Sequence, residues 1–330
     1  MKPLLVVLLV TSACHPSFDF DVDLDPGPVV GDRGFATLSF VDGCVGSDVL
    51  FGCPKHLPAF ATDSRARFVI GSMSGDTDDE HRVERAKVTS SDSRIVIANR
   101  DDDGLLQVLP VGTGDATVEL TDDGDVIDSI GIHIEPIGSL IVPTEETPTV
   151  LAGATFAAVV DAHSPSGERL WAHGAITPST SGGLSLVPGA EGYFTNSEQF
   201  GVRGDVPGLA RVEFRAGDAW TEGQFHLVSR DDITEVAIGE FYPEPGATKI
   251  RLVASAKAGA AGVRGGPACD WRIASGGGPG AALSPRVDDD LDATWLTLYN
   301  SAAVFGEGDV VVECRANDRV VAQHAMHLGR

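Results

Sequence analysis

Apolar and polar residues alternate with a period of two along most of this chain. Ala66, Phe68 and Ile70 alternate with Arg65, Arg67 and Val69. Ala116, Val118 and Leu120 repeat the pattern, as do Ile130, Ile132 and Ile134. So do Phe156, Ala158, Val160 and Ala162, then Ala210, Val212 and Phe214. Ile250, Leu252 and Ala254 follow, and Val310, Val312 and Cys314 close the series. Successive side chains of a strand point to opposite faces, so each run predicts a half-buried strand. Gly-, Asp- and Pro-rich turns separate the runs, among them Asp101-Asp102-Asp103-Gly104 and Asp122-Asp123-Gly124-Asp125. No long stretch has helical spacing. Short strands divided by turn signals predict an all-β fold of antiparallel sandwiches.

The layout recurs. Turn-and-strand openings at Ala61–Met73, Thr149–Ala162 and Pro245–Ala256 are each followed by a Gly-led closing strand, starting at Gly114, Gly208 and Gly308. The interval of about ninety to a hundred residues is the size of one immunoglobulin-like sandwich, ~100 residues. Junctions are expected at Glu135-Pro136-Ile137-Gly138 and Ser229-Arg230-Asp231-Asp232, which follow expected last strands. The resulting division is 1–13 as signal peptide, 14–31 as tether, and domains at 32–136, 137–231 and 232–330. Polar, Pro/Gly-marked junctions are expected to be crossed by few contacts, leaving each domain with its own core.

A resemblance supports the sandwich. Val88-Thr89-Ser90-Ser91-Asp92-Ser93 and Gly104–Val118, with Gly112-Thr113-Gly114-Asp115-Ala116-Thr117-Val118 at its end, resemble bacterial immunoglobulin-like domains of group 2. The likeness covers about a third of one domain and departs from the family at the segment holding Cys44 and Cys53 and at Pro110. It implies fold only, with no catalytic residues.

The N-terminus says where the chain goes. Met1-Lys2-Pro3, the apolar run Leu4–Val10 and Thr11-Ser12-Ala13 before Cys14 make an export signal. The run is too short for a membrane span, which takes about 20 residues. Small residues directly before a cysteine resemble the lipobox of bacterial lipoproteins, although Thr11 stands where that family usually has an aliphatic residue. The resemblance implies cleavage before Cys14, its lipidation, and anchoring in the cell envelope at the outer membrane. The competing reading is a plain secretory signal with an incidental cysteine. The acidic stretch from His15 to Val30 reads as a solvated tether.

Charge and cysteines narrow the classes. With 24 basic and 48 acidic residues the formal net charge is -24, which repels nucleic acid. Of five cysteines, lipidation of Cys14 leaves an even set suited to an oxidising compartment. Of the possible pairings, Cys44–Cys53 and Cys269–Cys314 keep each bridge inside one expected domain. Cys269 and Trp271 share a strand face, so the second bridge is expected to join neighbouring strands of one sheet.

No catalytic signature is present. The chain lacks a Gly-x-Ser-x-Gly elbow, a His-Glu-x-x-His helix, a phosphate loop and zinc-like cysteine spacing. Gly-rich Ala258–Pro267 and the acidic run Asp76-Thr77-Asp78-Asp79-Glu80 read as loops. Asp101, Asp102, Asp103, Asp122, Asp123 and Asp125 are weak candidates for calcium, against the reading of solvated turns. Arg203-Gly204-Asp205 reads as a plain turn, and Tyr193, Phe194 and Trp220 as packing residues or sugar-stacking surfaces. The expected function is a non-catalytic binding or spacer module with an unknown protein or glycan partner. The alternative is an envelope glycan hydrolase with two carboxylates at a domain junction.

Overall fold

A computed structural model describes residues 29–41, 57–74, 76–143, 147–194, 197–241, 249–264, 270–276, 282–287, 294–299, 308–316 and 319–328. Cys14, Cys44, Cys53 and Cys269, the signal segment and most of the tether lie outside them.

The chain is all-β. Its first part holds β1 (Val29–Val30), β2 (Ala36–Phe40), β3 (Ala59–Ala61), β4 (Ala66–Ser72), helix α1 (Thr77–Arg85), β5 (Lys87–Ser90), β6 (Val96–Arg100), β7 (Leu106–Pro110), β8 (Gly114–Asp122) and β9 (Asp125–Glu135). The second holds β10 (Ser139–Ile141), β11 (Thr149–Leu151), β12 (Thr155–His163), β13 (Arg169–Trp171), β14 (Thr177–Ser181), β15 (Leu184–Phe194), β16 (Ser197–Gly204), β17 (Gly208–Ala216) and β18 (Ala219–Val228). The third holds β19 (Glu235–Phe241), β20 (Lys249–Ala258), β21 (Ala261–Arg264), β22 (Asp270–Ser275), β23 (Ala282–Val287), β24 (Thr294–Tyr299), β25 (Gly308–Ala316) and β26 (Arg319–Leu328).

The pairing order repeats in the three parts. One sheet runs β2-β4-β7-β6, then β10-β12-β16-β15, then β19-β20-β24-β23. The other runs β3-β9-β8-β5, then β11-β18-β17-β14, then β26-β25-β22. Four strands against three, with a short extra strand running parallel to the last one, is the strand order of an immunoglobulin-like sandwich. The Gly-led strands foreseen in the sequence are β8, β17 and β25.

The inward faces are the apolar members of each alternation. In the first part Leu38, Phe68 and Val108 of one sheet meet Ala116, Val118, Ile130, Ile132 and Ile134 of the other. In the second, Phe156 packs on Phe225 at 4.9 Å and Phe200 on Phe214 at 5.6 Å, joining the two sheets. In the third, Leu252, Ala254, Val310, Val312 and Cys314 are buried. Trp271 stands opposite Cys314 on neighbouring strands of one sheet; Cys269, the expected partner of Cys314, lies outside the described residues.

Three local readings of the sequence are corrected. The acidic run Asp76–Glu80 is not a loop: Asp76 caps α1, accepting from the Asp78 N–H at 2.9 Å. Acidic residues fill the first turn and Arg82 and Arg85 the last, complementing the helix dipole, and Val83 seats the helix on the sandwich. Nine residues with one buried side chain leave no hydrophobic periodicity to detect. Val29, read as part of the tether, pairs with Leu38 and is buried in the first core. Ala258–Pro267, read as a loop, contains the strand β21.

Candidate functional site

The parts are sewn together by strand pairing. β13 belongs by sequence to the second part, where it pairs with β12; its other edge pairs in parallel with β3 of the first. β21 repeats this one part later, pairing with β20 and, in parallel, with β11. A sheet of the first part therefore continues into the second, and one of the second into the third. This overturns the expectation that few contacts cross the junctions. Proline and glycine at a junction describe the connecting peptide, and strands brought beside it from distant sequence made the joint.

The first seam is also packed. Trp171, at the end of β13, is fully buried in the core of the first part. Its ring lies 4.5 Å from Phe40 and 6.4 Å from Phe60, centroid to centroid. Its indole N–H donates to the Arg65 carbonyl at 2.9 Å, and the Arg65 N–H donates to the His173 carbonyl at 2.8 Å. Behind the seam, buried Asp161 accepts from Arg169 at 2.6 Å and from the Ser197 hydroxyl, and His173 Nδ1 lies 3.2 Å from Glu198. These side chains hold β12, β13 and β16 in register from inside the second part.

Polar side chains converge on the solvent side of the same seam. His133 and Glu135 come from β9, and Glu168 from the turn between β12 and β13. One ligand atom of each lies within 4.8 Å of the others, the one such grouping among the described residues. His133 Nδ1 is 2.7 Å from Asp115, its cross-strand partner, and Nε2 is 3.2 Å from Glu135. Those two carboxylates raise the His133 pKa above its ordinary value. The Glu135 carboxyl is held below its ordinary range by hydrogen bonding from Ser164 first and His133 second. A raised histidine contributes below its unfolded value of about 6.5 and loses that contribution as pH rises through the folded value. This histidine–carboxylate contact is therefore strongest on the acid side of neutrality.

Alternation with Ile132 and Ile134 placed His133 on the outward face of its strand; Glu135, read as the start of a junction, is the last residue of β9. No local pattern pointed to Glu168, which lies 33 residues beyond Glu135 and arrives only because β13 docks on β3.

The sequence-derived candidates lie elsewhere. Asp101 accepts from the N–H groups of Asp103 at 3.0 Å and Leu105 at 2.9 Å, closing its own turn. Asp122 lies 3.3 Å from Arg82 and 3.7 Å from Arg85 of α1. Asp123 and Gly124, at φ of 51° and 91°, form the two-residue turn into Asp125. The carboxylates of Asp101 and Asp122 serve turn geometry and arginines, and with Asp102, Asp103, Asp123 and Asp125 they form no group of ligands among the described residues. Arg203 and Asp205 pair with each other at 3.0 Å. Trp220 is exposed on β18.

No protein-family profile and no curated protein matches this chain. Among solved structures it is similar to domains 4–9 of the surface layer protein SbsC, at 11% identity and a TM-score of 0.32, over 88% of this chain and 46% of that one. A larger SbsC fragment gives 14% identity and a TM-score of 0.33, over 80% and 35%. A tandem-domain fragment of titin gives 10% and 0.21, over 89% and 98%. The chain thus spans less than half of the SbsC fragments named here. At such scores the assignment to immunoglobulin-like sandwiches rests on the strand order described above.

Proposed function

We propose that this protein is a non-catalytic spacer of the bacterial cell envelope, built to hold something at a fixed reach from a membrane. The observation that carries the reading is the repeated seam, in which β13 and β21 each extend a sheet of the preceding part. A flexible linker lets domains wander. A joint made of backbone hydrogen bonds, with a tryptophan packed across the first one, resists bending. The parts should therefore tumble as one body. Backbone 15N relaxation on the secreted Cys14→Ala chain tests this: one rotational correlation time is expected across residues 57–264. Separate, shorter correlation times for the first and second parts would overturn it.

Anchoring is proposed from the N-terminal sequence, with Cys14 as the lipid-bearing residue. Two bridges, Cys44–Cys53 and Cys269–Cys314, go with export to an oxidising compartment. Mass spectrometry of the mature protein should find an acylated N-terminal Cys14 and these two links. An unmodified Cys14, or either bridge cross-paired, would refute the corresponding assignment.

A hydrolase at a junction would need two carboxylates about 5–10 Å apart. Glu135 and Glu168 at the first seam are one such junctional pair, with carboxylate oxygens within 4.8 Å of each other, just short of that spacing. Turnover of an envelope glycan that disappears in Glu168→Gln would replace the non-catalytic reading.

A further inference from the structure

We propose that His133, Glu135 and Glu168 form a zinc-class divalent-metal site that bolts the first part of the chain to the second. A ligand atom from each lies within 4.8 Å of the others. A tetrahedral metal with bonds of about 2.0–2.2 Å holds neighbouring ligands some 3.3–3.6 Å apart. Closing that difference takes small rotations of two carboxylate side chains, with the strands left in place.

The histidine is oriented for the task. Asp115 sits 2.7 Å from Nδ1 and takes the proton on that nitrogen. The lone pair is then on Nε2, which faces Glu135 at 3.2 Å. A carboxylate that fixes the tautomer of a metal-binding imidazole is the usual outer-shell arrangement of such centres. A cation bound at Nε2 would balance Glu135 and Glu168 together. One imidazole nitrogen and two carboxylates leave a fourth position for water. The set is poor for calcium, which takes 6–8 oxygens.

The frame under the ligands is stiff. Ile134, between His133 and Glu135, pairs with Phe60 of β3. Glu168 is fixed by its own turn: its carbonyl accepts from the Ser164 N–H at 2.8 Å, and its N–H donates to the Ser164 hydroxyl at 3.2 Å. Two ligands stand on one side of the β3–β13 seam and one on the other, so a bound ion closes a ring across it. The metal site stands on these side chains; its effect on the joint rests on the spacer reading.

The test is zinc binding to the secreted Cys14→Ala chain, followed by calorimetry in a non-chelating buffer at pH 7.5 and pH 5.5. One zinc per chain is expected at the higher pH, with weaker binding at the lower, where protons compete for Nε2. His133→Ala and Glu168→Gln should abolish that site, and Asp115→Ala should weaken it by roughly 10–100-fold. Circular dichroism of each variant confirms that the fold is kept. Absence of stoichiometric zinc, or wild-type binding in folded His133→Ala and Glu168→Gln, would overturn the site. A single correlation time without zinc leaves the spacer intact if the metal fails. Zinc binding beside independent tumbling retains the site and removes the spacer.

Discussion

Trp171→Ala is expected to cost about 3–5 kcal/mol, the usual range for deleting a fully buried large aromatic side chain. The loss should fall on two parts of the chain at once. Trp171 is supplied by β13 of the second part, yet it packs against Phe40 and Phe60 of the first. Its removal opens a cavity in that core and leaves the Arg65 carbonyl without the indole N–H it accepts from. The β3–β13 pairing, only two residue pairs long, then has little left to hold it. Chemical denaturation should show the lowered midpoint. Native-state hydrogen exchange should show faster exchange at Phe60, Arg65 and Trp171 together. If only second-part amides lose protection, or the midpoint moves by less than about 1 kcal/mol, Trp171 is not the joint it is taken to be. The same packing predicts that residues 32–136, expressed without the second part, are markedly less stable than they are in the whole chain.

The second large effect is expected at Asp128. Its carboxylate is fully buried and accepts four backbone N–H bonds: from Arg33 at 2.8 Å, Phe35 at 2.9 Å, Ala36 at 2.6 Å and Ser129 at 2.7 Å. Three of these tie the turn between β1 and β2 to β9, some ninety residues away in sequence. Gly31 lets the turn come this close, because a Cβ there would stand 2.4 Å from an Asp128 carboxylate oxygen. A buried donor left without its partner costs about 1–3 kcal/mol. Arg33 and Phe35 reach water in part, so Asp128→Ala is expected to lose about 2–4 kcal/mol in all. Asp128→Asn keeps one acceptor oxygen and should lose roughly half as much. Urea denaturation measures both. A loss within about 0.5 kcal/mol of zero for Asp128→Ala would mean that the turn holds without it.

The sequence by itself determined the strands and their inward faces. Every alternation that was read, from Ala66-Phe68 to Val312-Cys314, lies on a strand, and its apolar members face inward wherever their burial is described. The reason is local: a strand has a period of two, and that period is written residue by residue. The Gly-led closing strands and their spacing were legible for the same reason, as was the Asp123-Gly124 turn, whose positive φ angles favour such residues. Helix α1 is a different case. Its cap, acidic first turn and basic last turn were all present, but it buries a single side chain and so carries no apolar rhythm. Only the tertiary structure decided the seams. β13 and β21 are three and four residues long, too short to carry a pattern, and they owe their strand state to edges supplied by β3 and β11. Nothing in the sequence marked which core Trp171 joins; that depends on the same docking. Glu168 meets His133 and Glu135 for the same reason. Local pattern fixes which face of a strand turns inward. Which edges meet is a choice among distant partners, made by the free energy of the whole assembly.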